Sequence, residues 1–285
     1  MHFLNKLTIV LVGLLSVAPL HFVAAEPAVI AIIIDDIGNN LKVGKQVINS
    51  KLPITCSILP ARPHSIKLAR LAHQRGKEVM LHLPMQASKS ERLGHGGLRL
   101  GMSKHEFTRT VDISIDAIPH AQGINNHMGS LLTRTPRYME WLMQTIANRD
   151  ELLFFVDSKT TAQTVAEDAA QSYHIPSVKR DVFLDSNAND KAFVKQQIKQ
   201  LIKIAKQQGY ALAIGHPHQA TLSVLEQELL KLNNQEVQIV SVSELITTAR
   251  SVRLANSNKP FSEKLISKNT HPEQTTWKKY TSLTY

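Results

Sequence analysis

Short, β-branched apolar runs alternate with amphipathic segments along most of this chain, with little in between. The apolar runs fall at 29–34, 54–59, 78–83, 123–127, 152–156, 177–183, 210–214 and 237–240. Segments with helical spacing fall at 41–48, 64–74, 104–117, 136–147, 161–172, 190–207 and 220–231. The first run, Ala31-Ile32-Ile33-Ile34, is continuous rather than alternating, which marks a strand buried on both faces. Seven or eight βα units in this length predict an α/β fold, a distorted (β/α) barrel of seven or eight parallel strands. An open doubly wound sheet is the competing arrangement. No G-x-G-x-x-G follows the first run, so nothing indicates a dinucleotide site.

Punctuation agrees with the alternation. Pro136 follows Thr135 at a helix start, and Gly76 and Gly209 close helices before the next strand. Residues 86–101 form a long, polar, Gly-rich connection after the third run, the pattern of an active-site loop.

The strand ends carry the chemistry. The first run stops at Asp35-Asp36, and later runs stop at His82, His127, Asp157, Asp181 and His216, with His218 close behind. In a parallel barrel all these positions face one mouth. Two adjacent carboxylates there repel one another unless a cation or a shared proton relieves them. Two histidines and a carboxylate with an open position for water form a common catalytic zinc set. Singly, each residue has a plainer reading: Asp36 as a helix cap, His82 as a satisfied core residue. His64, His73, His95, His105 and His120 fall on helices or loops and are expected on the surface.

The N-terminus reads as a targeting segment: Lys6, an apolar stretch from Leu7 to Ala18, then Val23-Ala24-Ala25 before the cut. The expected organisation is a signal peptide at 1–25, a domain at 26–250 and a basic, disordered tail at 251–285. An uncleaved anchor is the alternative; a short apolar stretch broken by Pro19 and His21 makes a poor membrane span. Export to a periplasm is the expected location, and the cleaved chain is not expected to be integral to a membrane. Cys56, the single cysteine, lies in an apolar run and reads as a buried small hydrophobe. The formal charge is +10, of which the tail holds +4, so the domain is only mildly basic. No basic stripe points to nucleic acid. The tail is a candidate for contact with anionic envelope components.

The runs Ile34-Asp35-Asp36-Ile37-Gly38, His82-Leu83-Pro84-Met85, Asn126-His127-Met128-Gly129-Ser130, Val156-Asp157-Ser158-Lys159-Thr160 and Gly215-His216-Pro217, in this order, resemble the divergent polysaccharide deacetylase family. The resemblance covers about residues 27–248 and extends to the superfamily of NodB-like carbohydrate esterases. It implies a zinc-dependent hydrolase that removes acetyl groups from an acylated polysaccharide. By resemblance, Asp35 is the catalytic base, Asp36 and His82 are metal ligands, and His216 is the catalytic acid. The superfamily's second metal histidine is replaced here by Gln86, and His127 on the neighbouring strand is the expected substitute. Nothing matches the usual Arg-Pro-Tyr oxyanion motif, which leaves Asn126, the backbone near Gly129 or the metal for that role. Asp157 is expected to orient His216 or bind sugar hydroxyls. Arg180 with Asp181 is expected to form a polar wall, and His218 to stand in reserve. A barrel that binds glycan or an envelope protein without turnover is the alternative function. Phosphoester hydrolysis is a third, and it calls for a second metal or more carboxylates than the sequence places.

Overall fold

The computed structural model describes residues 27–89, 93–94, 96–232 and 236–257. The expected signal peptide, His95 and the chain beyond residue 257 lie outside the described residues. The elements follow in order: β1 (Ala28–Ile37), α1 (Leu41–Ile48), β2 (Thr55–Ile58), α2 (Ser65–Gln74), β3 (Val79–Met85), α3 (Lys104–Asp116), β4 (Ala121–Met128), α4 (Pro136–Ala147), β5 (Phe154–Asp157), α5 (Ala166–Ser172), β6 (Ser177–Lys179), β7 (Val182–Phe183), α6 (Lys191–Gln208), β8 (Tyr210–Gly215), α7 (Gln219–Leu229), β9 (Val237–Ile239) and α8 (Val242–Ser257).

Every pairing is parallel, and the strand order is β6-β5-β4-β3-β2-β1-β8-β7, with β9 added to β1. The run expected as one strand at 177–183 is in fact two. Its first half joins β5, with Lys179 beside Asp157; its second half joins β8, with Val182 beside Ala213. Arg180 and Asp181 bridge the two edges, donating their amides to Asp157 O at 3.0 Å and Leu212 O at 2.9 Å. The sheet therefore curls until its two edges are joined by one extended segment. This is the distorted (β/α) barrel.

Successive residues of β1 serve two layers. Val29, Ala31 and Ile33 pack inside the barrel with Met80, Val156, Leu212 and Ile214; Ile30, Ile32 and Ile34 pack outward under the helices. Alternate side chains on opposite faces, both buried, explain the unbroken apolar run. Val242, Leu245 and Ile246 of α8 join the interior cluster, so this helix closes the end where the strands begin. The expected domain limit at residue 250 falls inside α8, which continues to Ser257. Arg253, beyond that limit, pairs with the buried Glu167 at 2.7 Å. No helix among the described residues is long and apolar enough to cross a membrane. Cys56 is fully buried, and burial pushes its thiol up to about 12 despite the nearby Lys77, which removes it as a nucleophile.

Candidate functional site

The mouth of the barrel is built where strands leave the sheet through unusual backbone. β1 does not stop at the aspartates. It carries a bulge between Ile34, which pairs with Cys56, and Ile37, which pairs with Ile58. Asp36 sits in that bulge with φ of 60°. A bulge of this kind re-aims a side chain that strict alternation would turn away. Met128 and Lys159 also have positive φ, at 55° and 49°, just after His127 and Ser158. Such conformations in non-glycine residues are strained and gather at functional sites.

Three ligand atoms then meet. Asp36 Oδ1 lies 3.3 Å from His82 Nε2 and 3.0 Å from His127 Nδ1, and the two ring nitrogens are 3.1 Å apart. Donors ~2.0–2.1 Å from one tetrahedral ion stand roughly 3.3 Å from each other. The triangle has that size. Asp36 Oδ1 is buried yet receives no well-formed hydrogen bond from either ring, so it is an orphaned acceptor facing two nitrogen donors. The donor set and the orphaned oxygen both fit a zinc ion. Burial alone would raise the Asp36 pKa, but His127 and His82 outweigh it and hold the carboxylate well below its usual range. For His82, burial opposes charge, and Asp35 and Asp36 push it above the ordinary imidazole value.

Second contacts orient this set. β3 and β4 pair so that His82 sits beside Asn125 and Pro84 beside His127. His82 Nδ1 is 2.7 Å from Asn125 Oδ1, which leaves Nε2 free to ligate. The Asn125 amide nitrogen donates to Asp35 Oδ1 at 2.8 Å, and Ser57 Oγ donates to Asn125 Oδ1 at 2.8 Å. One buried asparagine thus fixes both His82, a candidate ligand, and Asp35, the candidate base. Sequence reasoning passed over it. The signal was present, because Asn125 shares a strand face with His127 two residues on.

Across the mouth, His216 Nδ1 lies 2.9 Å from Asp185 Oδ1, and its Nε2 faces Asp36 Oδ2 at 3.8 Å. Asp185 Oδ2 accepts from the His216 amide at 2.6 Å and from Thr221 Oγ1 at 2.8 Å. Burial would lower the His216 pKa, but Asp185, Asp35 and Asp36 raise it to about 9. The expectation that Asp157 orients His216 is corrected: Asp185 does. Asp157 accepts from the Lys159 amide and from Thr164 Oγ1, both at 2.8 Å, and so shapes the turn after β5. Asp185 follows an apolar run as the other strand-end acids do, and that pattern was its signal.

A cavity of about 360 Å³ joins Asp35, His82, Asn126, His127, Arg180 and His216. Asn126 lines it but its amide is committed, donating to Met128 O and accepting from the Ser158 amide. Arg180 lines it as well. Asp181 does not: its carboxylate accepts from the Leu212 amide at 2.9 Å and from Gln208, on a different face of the barrel. The expected Arg180–Asp181 wall is therefore Arg180 without Asp181. His218 lies within reach of Asp185 and His216, at the start of α7. His73, His105 and His120 are exposed, and His64 is partly so.

A family model described as divergent polysaccharide deacetylase matches residues 32–246. This chain belongs to that family. YibQ of Escherichia coli K12 is 37% identical over 217 residues, spanning 76% of this chain and 67% of the relative. A protein of Haemophilus influenzae Rd is 35% identical over 216 residues, spanning 76% of each. Both relatives carry the description uncharacterized. Among solved structures, an uncharacterized protein of Agrobacterium tumefaciens superposes with a TM-score of 0.73 at 20% identity, covering 78% of this chain and 90% of that one. A lactam utilization protein of Thermus thermophilus gives 0.50 at 14% identity, covering 76% and 99%. At these identities the structural likeness speaks to the fold alone.

Family membership sharpens the meaning of Gln86. Its side chain accepts the Leu100 amide at 2.8 Å, and its backbone carbonyl accepts the amides of Leu131 and Leu132. Gln86 is a clip for the loop after β3, and His127 is the nitrogen that faces Asp36 in its place.

Proposed function

We propose that this chain is an exported, metal-dependent hydrolase that removes acyl groups, acetyl foremost, from an envelope or extracellular polysaccharide. The observation that carries the reading is the Asp36–His82–His127 triangle, with Asp35 and His216 on either side of it. Asp36, His82 and His127 would hold one zinc. When bound, such an ion polarises the acyl carbonyl and lowers the pKa of its water to ~7. Asp35 takes the proton of the attacking water, its carboxylate held by the Asn125 amide. His216 gives a proton from Nε2 to the departing nitrogen or oxygen, while Asp185 holds Nδ1 and keeps the ring protonated near neutral pH. Met128, Phe183 and Ile214 line the same cavity and offer apolar contact for an acyl methyl group.

Export is supported by the order of Lys6, the apolar stretch and Val23-Ala24-Ala25. The +4 charge of residues 251–285 supports contact with anionic envelope components. The rival reading, a barrel that binds without turnover, drew on Gln86 standing where a ligand belongs. His127 facing Asp36 supports a complete ligand set despite Gln86, and so favours turnover. The test is direct: purified chain, supplied with zinc, is assayed for bound metal and for acetate released from acetylated polysaccharides. One zinc per chain with acetate release is expected. A chain that takes up no metal when zinc is supplied overturns the hydrolase reading and restores the binding module.

A further inference from the structure

One wall of the cavity is cationic, and nothing in the mechanism above uses it. Ser158, Lys159 and Arg180 line it together. Arg180 is fixed by donating Nε to Ser158 O at 2.7 Å and Nη2 to Lys159 O at 2.8 Å, and its guanidinium lies 4.9 Å from the Phe183 ring centre. Neither Arg180 nor Lys159 has a carboxylate within ion-pair distance among the described residues, although Lys179, Lys195 and Lys206 each do. Lys159 is exposed, and φ of 49° holds the chain in the turn that brings it to the cavity. The third group is the most telling. The Ser158 hydroxyl is buried, and among the described residues it has no hydrogen-bond partner. A buried hydroxyl left unpaired costs stability, and such groups normally find a partner.

We propose that Ser158, Lys159 and Arg180 form a subsite for a fixed negative charge, a carboxylate or a phosphate, on the sugar that enters the cleft. This inference rests on the reading of the cleft as a glycan deacylase site and narrows its substrate to acidic glycans. The chemistry matches: two cations and a hydroxyl donate to the oxygens of one anion, and partial burial strengthens charge-assisted bonds. The same wall does not serve the reaction's oxyanion alone, because that charge exists only in the transition state and leaves the unpaired hydroxyl unexplained in the complex before it.

The experiment uses the full mature chain, zinc-loaded, as Asp35→Asn so that bound sugar is not consumed. Three probes are titrated: N-acetylglucosamine, N-acetylmuramic acid with its carboxylate, and N-acetylglucosamine 6-phosphate. At least one acidic sugar should bind about tenfold tighter than the neutral one, with a preference that weakens as salt rises. Which acid wins tells carboxylate from phosphate. Adding Lys159→Gln, or Ser158→Ala, should bring the acid-to-neutral ratio near one while zinc content stays the same. Arg180 clamps two carbonyls, so its substitution is not the deciding variant. Equal binding of all three sugars overturns the proposal, as does an unchanged ratio in both variants. A Lys159→Gln effect confined to kcat in the Asp35 parent, with sugar binding untouched, overturns it too and assigns the wall to the transition state. Acetate release by the parent chain reports separately on the hydrolase reading, so that either idea can fail without the other.

Discussion

At the end where the strands begin, the buried Glu78 carboxylate accepts from Thr55 Oγ1 at 2.8 Å and from the amides of Val242 at 2.9 Å and Ser243 at 3.1 Å. At the end where they finish, Asp36 Oδ1 is also buried, but it faces two ring nitrogens and accepts no well-formed bond. Glu78 is answered by its own chain: it caps the start of α8 and locks that helix across the barrel floor. Asp36 is held in strained backbone, and its Oδ1 meets two ring nitrogens at ion-pair distance without a well-formed hydrogen bond. A buried acid satisfied by the fold maintains the fold; a buried acid the fold leaves short marks where something else binds.

Substitutions at the two ends should have opposite signatures. His127→Ala should lose zinc outright, weakening it by more than ~100-fold, while the thermal midpoint of the metal-free protein holds. Tight zinc binding by that variant would remove His127 from the ligand set and break the contrast. Asp35→Asn should keep its zinc and lose ~10²–10⁴-fold in deacylation, because it removes the proton acceptor but no ligand. Metal analysis alongside acetate release distinguishes the two.

Glu78→Gln should do the reverse. It turns one acceptor into a donor against the α8 amides, at a cost of ~1–3 kcal/mol, which is several degrees in midpoint for a domain of this size. Zinc content should not change. Ending the chain after Arg250 should give a smaller loss than Glu78→Gln. It removes Arg253 from the buried Glu167, which keeps Lys179 and Gln171, and takes the last turns from α8. A chain ending after Ser257 is the reference, and equal midpoints would show that those turns contribute nothing.

The smallest effect is in pH. In the metal-free protein the His216 ring is raised to about 9, above the ordinary imidazole value of ~6.5. The stability it contributes is therefore complete below ~pH 6.5 and lost as pH rises through about 9. Proton NMR of the ring should place its titration there, and Asp185→Asn should draw it down toward the ordinary value. A ring that titrates identically without Asp185 would detach that residue from His216.

Much of this was legible in order and spacing alone. The alternation of apolar runs and amphipathic segments set a parallel α/β barrel, because burial on both faces requires helices over the sheet. Parallel strands put Asp35, Asp36, His82, His127 and His216 at one mouth without any coordinate being known. Period and polarity, being local, carried that far. Tertiary structure alone decided the rest. It split 177–183 between two sheet edges, because closing the barrel needs both pairings at once. It turned Asp36 toward the histidines through a bulge, made Asn125 the hub between His82 and Asp35, and gave His216 to Asp185 rather than Asp157. It sent Asp181 to another face and Gln86 into a loop. A side chain's type and strand position are written in the sequence. Its direction and its partner depend on how distant strands are staggered against each other, and only the closed barrel fixes that.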